Sequence, residues 1–219
     1  MILYHGSGIV VEEPLYGYGK KGNDYGQGFY CSEDIELARE WACQTPDGGF
    51  VNRYTIEEDI LTIFEFDRSD VMSWLAVLLS NRLVRYSSPV EKMTAEYVIR
   101  NFSPDISGYD VIKGYRADDS YFTFVRSFLA NTISLDQLGQ AMQLGQLGWQ
   151  LCIKSEKAFK LLKFSSAEAV DGEIYYPRRV QRDNLARQEF YSILESGVSG
   201  GIFVRDILEK EMTADELRI

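Results

Sequence analysis

Strand-like and helix-like segments follow one another along this chain without the regular strand–helix–strand alternation that builds a doubly wound parallel sheet. Alternating apolar and polar residues mark strands at 50–56 and 61–66. A helical period then runs over 71–84 through Trp74, Leu75, Leu78, Leu79 and Leu83, and a further helix fits 90–101. Residues 109–115 read as a strand, and Asp118 with Asp119 opens a helix that ends near Ala130. Ser134 followed by Gln137 has the capping-box pattern of the next helix. A strand at 149–154 leads to Ser155, which caps a helix over 156–162. A strand at 173–176 and helices at 184–196 and 202–211 finish the chain. This order predicts an α+β fold. No repeat, low-complexity tract or Pro/Gly/Ser linker divides the 219 residues, which suffice for one sizeable core.

Composition narrows the partners. A net charge of −10 argues against a general grip on nucleic acid, which depends on neutralising phosphates with Lys and Arg. Arg178, Arg179, Arg182 and Arg187 form the one basic stretch; a solvated face is the favoured reading and a local nucleic-acid patch the alternative. Three cysteines, Cys31, Cys43 and Cys152, are odd in number and lack Cys-x-x-Cys spacing, so neither a disulfide framework nor a metal site is expected. The first residues carry no basic n-region or apolar h-region, and no apolar run approaches the roughly 18 residues of a membrane span. A reduced, cytoplasmic protein without a membrane anchor is the expectation.

The one histidine lies in Leu3-Tyr4-His5-Gly6-Ser7, and Tyr25-Gly26-Gln27-Gly28-Phe29-Tyr30 follows it. A His at a strand end can donate to a sugar hydroxyl. A Gly lets backbone N–H and C=O come close to a flat amide, and an aromatic ring stacks on another ring. Taken singly, each has a plainer reading: a satisfied core histidine, and a turn into a strand. Cys31-Ser32-Glu33-Asp34 then leads into a helix with Ile35, Ala38, Trp41 and Ala42 on one face. The stretch Gly17-Tyr18-Gly19-Lys20-Lys21-Gly22 spells the Gly-x-Gly-x-x-Gly of a Rossmann phosphate loop. It has neither a buried strand before it nor a helix after it, so it is read as a mobile Gly/Tyr loop over a pocket.

These segments resemble the NAD-binding signature of the ADP-ribosyltransferase fold. The resemblance continues through Trp74-Leu75 to Arg82, Tyr109-Asp110-Val111-Ile112 with Gly114, Ala117-Asp118-Asp119, and Gln150 to Phe164. Five separated segments in order, over about residues 2–176, are similar to a bacterial family grouped with the ADP-ribosyltransferases. The resemblance implies a split mixed and antiparallel sheet with flanking helices. It implies an ADP-ribosyltransferase-like domain over 1–180, followed by a C-terminal helical extension over 181–219. It also implies an enzyme that cleaves the nicotinamide–ribose bond of NAD, its co-substrate, and transfers ADP-ribose to a macromolecular acceptor, a protein foremost, with NAD glycohydrolase as a side activity. A toxin or defence effector with a neutralising partner protein would fit such an activity.

On this resemblance His5, Tyr30 and Gln150 are the catalytic set, and His5, Gly6, Tyr30 and Trp41 hold the dinucleotide. The fold often carries Glu where this chain has Gln150. A Gln can hold a ribose hydroxyl through its carbonyl but brings no charge, which favours single transfers or slow hydrolysis. It also leaves open a catalytically weak module that binds NAD or ADP-ribose. Asp118 and Asp119 are candidates for the missing charge; the plainer reading places them as acidic residues at a helix N-terminus.

Overall fold

Two sheets joined along one seam organise the chain in the computed structural model, which describes residues 1–117, 120–144, 148–195 and 200–219. The first sheet is antiparallel and runs β1 (Ile2–Ser7), β3 (Gly49–Thr55), β7 (Lys163–Val170). The second runs β2 (Phe29–Cys31), β6 (Trp149–Ile153), β5 (Val111–Tyr115), β4 (Ile63–Glu65). Its pairs are antiparallel except β4 with β5, which are parallel. At the seam Tyr4 and Ser32 exchange two backbone hydrogen bonds of 2.8 Å. The fold is α+β, with two sheets and flanking helices.

Helix α1 (Ile35–Ala42) begins where Asp34 accepts the Glu36 amide through its side chain, which satisfies one of the unpaired N–H groups of the first turn. It lies directly on β1 because Gly6 has no side chain. A Cβ there would collide with the Ala38 carbonyl and come within 2.6 Å of the Ala42 nitrogen. Helix α2 (Val71–Asn81) is apolar nearly all round, and Val71 through Leu79 are buried, as expected of a helix inside a core. Helices α3 (Pro89–Phe102), α4 (Tyr121–Leu129) and α5 (Leu135–Ala141) follow, the last with the capping box between Ser134 and Gln137 in place. Ser155 caps α6 (Glu156–Leu161). Trp74, Phe124 and Phe128 are wholly buried in the largest core, beneath the second sheet; each such side chain stabilises the fold by about 1.5–3 kcal/mol relative to an exposed position.

The C-terminal quarter departs from the sequence reading. Residues 173–176 are helix, not strand: they belong to α7 (Gly172–Glu195), which contains the first of the two expected terminal helices. The strand lies earlier, at β7. Glu173-Ile174-Tyr175-Tyr176 has the β-favouring composition, but Tyr175 packs and hydrogen-bonds against α1, with its hydroxyl donating to Glu36 at 3.1 Å. Tertiary packing outweighs local preference there. β7 was hidden for the opposite reason: it is mostly exposed and rich in Ser and Ala, so only its backbone ladder to β3 holds it as a strand. Position 180 lies inside α7. Phe190, with Val204 and Ile207 of α8 (Val204–Lys210) and Leu217 of a short 3-10 turn, is buried in the largest core. Among the described residues no helix is long and apolar enough to cross a membrane.

Candidate functional site

A cleft of about 1080 Å³ opens over the seam between the sheets, bounded by β1, the loop after it, α1, the start of β6 and one face of α7. His5, Gly6, Tyr30, Trp41 and Gln150, drawn from four elements, all line it. Its volume lies at the top of the usual range for ligand sites, roughly 300–1,000 Å³. The loop containing Gly17-Tyr18-Gly19-Lys20 forms part of the wall through Tyr18, Gly19 and Lys20.

His5 spans the seam. Its Nδ1 lies 2.7 Å from the Tyr30 carbonyl, which can only accept, so Nδ1 carries the proton. Burial lowers the imidazole pKa, against the opposing effect of that hydrogen bond. The neutral ring therefore presents Nε2 as an acceptor, where a donor to a sugar hydroxyl was expected. Its ring rests on Phe29, with centroids 4.3 Å apart. The wholly buried Asn52, opposite His5 on β3, donates to the His5 carbonyl at 3.2 Å and accepts the Val11 amide at 2.8 Å. It fixes both the strand end and the loop that leaves it.

The Tyr30 hydroxyl is turned back into the protein. It donates to the Gly26 carbonyl at 2.6 Å and accepts the Tyr25 amide at 3.0 Å. Burial raises its pKa far above the ordinary phenol range, so the hydroxyl stays protonated. Gly26 has φ +77°, a conformation that favours glycine, and a Cβ there would sit 2.8 Å from the Asn81 side chain. Trp41 is half-buried beside Gly6. The Arg116 guanidinium lies 4.2 Å from the centre of its ring, and among the described residues its buried indole N–H has no hydrogen-bond partner. A face of that ring is thus already used by a cation.

Gln150 is no surface residue: it is 4 % exposed, on β6. Its Nε2 donates to the Asp24 carboxylate at 2.6 Å and to the Tyr115 carbonyl at 3.2 Å. Both neighbours only accept, so the amide orientation is set and its carbonyl oxygen is left as the acceptor. Asp24, absent from the sequence-based site, lines the cleft at 5 % exposure. It accepts the Ala117 amide at 3.0 Å and lies 3.6 Å from Arg82. Burial raises its pKa, with the Ala117 amide, Arg82, Gln150 and Arg116 pulling the other way. Asp118 and Asp119, read from sequence as acidic residues at a helix N-terminus and as candidates for the missing charge, lie outside the described residues.

The basic stretch is not simply a solvated face. Arg179 and Arg187 line the cleft, while Arg182 pairs with the buried Glu40 of α1 and Arg178 lies 3.6 Å from Glu36. Among the described residues, Lys20, Arg82, Arg116, Arg179 and Arg187 line the cleft against the carboxylates Glu13, Asp24 and Asp183. The cleft is thus locally cationic in an acidic protein. Among the described residues, no group of three or more His, Cys, Asp or Glu side chains could hold a metal ion.

In comparisons with known proteins, the model of a family described as "Protein of unknown function (DUF3990)" matches residues 1–164. No curated protein and no solved structure matches the chain.

Proposed function

The chain belongs to the DUF3990 family, a family described as of unknown function; on the residues of its cleft we propose that it is an NAD-dependent mono-ADP-ribosyltransferase with the ADP-ribosyltransferase fold. The observation that carries the proposal is the convergence of His5, Gly6, Tyr30, Trp41 and Gln150 on one cleft. They stand in separated motifs of the sequence, and each has a chemistry that a bound dinucleotide would use. Two further features support it. The cleft has the volume of a large ligand, and its arginines suit the two phosphates of NAD.

In the reaction, the bond from the nicotinamide nitrogen to ribose C1′ breaks, and its electron pair neutralises the pyridinium. The acceptor bonds to C1′ and releases its proton to solvent. The transition state is oxocarbenium-like, as in glycoside cleavage. His5 Nε2 accepts a hydroxyl of the adenosine-side ribose. Tyr30 and Trp41 form the slot for the nicotinamide ring, Tyr30 held still by its two hydroxyl hydrogen bonds. The carbonyl of Gln150 accepts the 2′-hydroxyl of the ribose that takes the positive charge. Gly6 serves a second purpose in bringing α1, and with it Trp41, against β1. Ile9, Leu15 and Tyr18 are exposed on the cleft wall, which favours a protein acceptor.

The test is incubation of the purified protein with labelled NAD and whole-cell lysate. Label entering protein, with nicotinamide released, is the expected result. Label in nucleic acid would move the acceptor class, and label only in free ADP-ribose would make the protein an NAD glycohydrolase. The uncharged Gln150 favours one second reading, a module that binds NAD or ADP-ribose without turning it over; NAD binding without nicotinamide release would establish that. Failure to bind NAD overturns both. In an active enzyme, Gln150→Ala should lower turnover by roughly one to three powers of ten and leave affinity nearly unchanged.

A further inference from the structure

Gln150 lacks the negative charge that an oxocarbenium-like transition state calls for, and the structure supplies one beside it. We infer that Asp24 and Gln150 act as a pair: Asp24 contributes the charge and sets the amide, and Gln150 relays both to the ribose hydroxyl. This rests on the proposed transfer from NAD.

The geometry leaves the amide one arrangement. The Asp24 carboxylate, 2.6 Å from Gln150 Nε2, and the Tyr115 carbonyl take the two N–H donors and turn the Gln150 carbonyl oxygen away from both. A carboxylate hydrogen-bonded to the NH₂ end of a carboxamide draws electron density toward the carbonyl oxygen, making it a stronger acceptor. The negative charge stays one side chain removed from C1′, so it stabilises the cation without competing with the acceptor as a nucleophile.

Asp24 is also held more firmly than a loop residue needs to be. The Ala117 amide fixes its Oδ2, and Arg82 lies by Oδ1. Asn81 donates to the Asp24 carbonyl at 3.3 Å, and Lys154 donates to the Tyr25 carbonyl at 2.7 Å. The neighbouring Tyr25 is buried with its hydroxyl bonded to the Tyr115 carbonyl at 2.5 Å, and Trp74 donates to both of those oxygens. A turn anchored to α2, β5 and β6 thus delivers one carboxylate to a cleft wall. Burial raises the pKa of that carboxylate, and the Ala117 amide, Arg82, Gln150 and Arg116 oppose the rise.

The experiment compares nicotinamide release and NAD affinity for the parent, Asp24→Asn, Gln150→Glu and the double variant Asp24→Asn/Gln150→Glu, each with its melting temperature. Asp24→Asn should lower kcat by roughly 10- to 100-fold while Kd for NAD stays within about threefold, the signature of an interaction made in the transition state. The double variant returns the charge to position 150 and should recover most of the lost kcat. Gln150→Glu alone should be no faster than the parent, because two carboxylates at hydrogen-bond distance share one proton; this arm holds even if Asp24→Asn fails to fold. A parent-like kcat for Asp24→Asn, equal losses in kcat and affinity, or a Gln150→Glu enzyme faster than the parent overturns the pairing. So does an inactive Asp118→Asn or Asp119→Asn beside an active Asp24→Asn. A parent that binds no NAD overturns the transferase reading and the pairing with it.

Discussion

At the scale of single residues, the site depends on which polar atoms are already spoken for. His5 Nδ1 is committed to the Tyr30 carbonyl, so its function rests on a neutral ring. His5→Gln should weaken NAD binding about tenfold, the order of one lost hydrogen bond in a desolvated site, as read by calorimetry. The same substitution has a pH signature. Burial holds the folded pKa of His5 below its ordinary 6.5, so below that pH the unfolded chain takes up the proton first. Stability linked to His5 is intact above about pH 6.5 and declines as the pH falls toward the folded value. Between pH 7 and pH 5, melting temperature should therefore fall further in the parent than in His5→Gln; equal falls would show a solvated imidazole. Trp41 gives a cleaner separation of packing from binding, since among the described residues its indole N–H has no hydrogen-bond partner to lose. Trp41→Phe should keep its melting temperature and weaken NAD binding about 3- to 10-fold, the range of an aromatic pair; unchanged affinity would remove Trp41 from the ring slot.

At the scale of elements, most strands and helices were legible because their signals are local: a two-residue period at β3 and β4, an apolar helix at α2, caps at Ser134 and Ser155. The five site residues were legible for a related reason, since each stands in a short motif. Asp24 was not. Its partners Gln150 and Ala117 lie 126 and 93 residues away, and no window of the chain contains that contact. Asn52 escaped in the same way, 41 residues from Val11 and one strand over from His5. The exposed and polar β7 gave no apolar period, and α7 carries mixed signals around Pro177. Among the contacts that tie α7 to α1, Arg182 pairs with Glu40, which is 7 % exposed. Replacing the arginine takes a paired cation away from a carboxylate that is nearly wholly buried. Arg182→Leu should therefore cost roughly 2–4 kcal/mol in urea unfolding, somewhat less than for a wholly dry pair because the arginine retains solvent contact. A loss under about 0.5 kcal/mol would mean that α7 is held by its other contacts with α1.

At the scale of the whole molecule, two unlike charge distributions coexist: ten excess negative charges overall, and a cleft walled by Arg82, Arg179 and Arg187. The contrast focuses an anionic ligand into the cleft and repels it elsewhere. Arg179→Glu with Arg187→Glu should lower NAD affinity by about tenfold in dilute buffer, with the deficit shrinking as salt screens the field. Affinity that ignores both the reversal and the salt would place the phosphates away from α7. The family match ends at residue 164, whereas α7 starts at Gly172, so this wall comes from beyond the matched region. The seam between the sheets has a different consequence. His5 stands on one sheet and Tyr30 on the other, and beside them Tyr4 and Ser32 exchange two backbone bonds across the gap, with the His5 ring bonded to the Tyr30 carbonyl. The apolar cluster of Leu3, Cys31 and Leu151 also spans the joint, yet with so few backbone bonds its amides should open before either sheet unfolds. The protons on the Tyr4 and Ser32 amides are then a clock for the cleft: their exchange with deuterated solvent should run ahead of the strand interiors in the empty protein and slow once a dinucleotide bridges both halves.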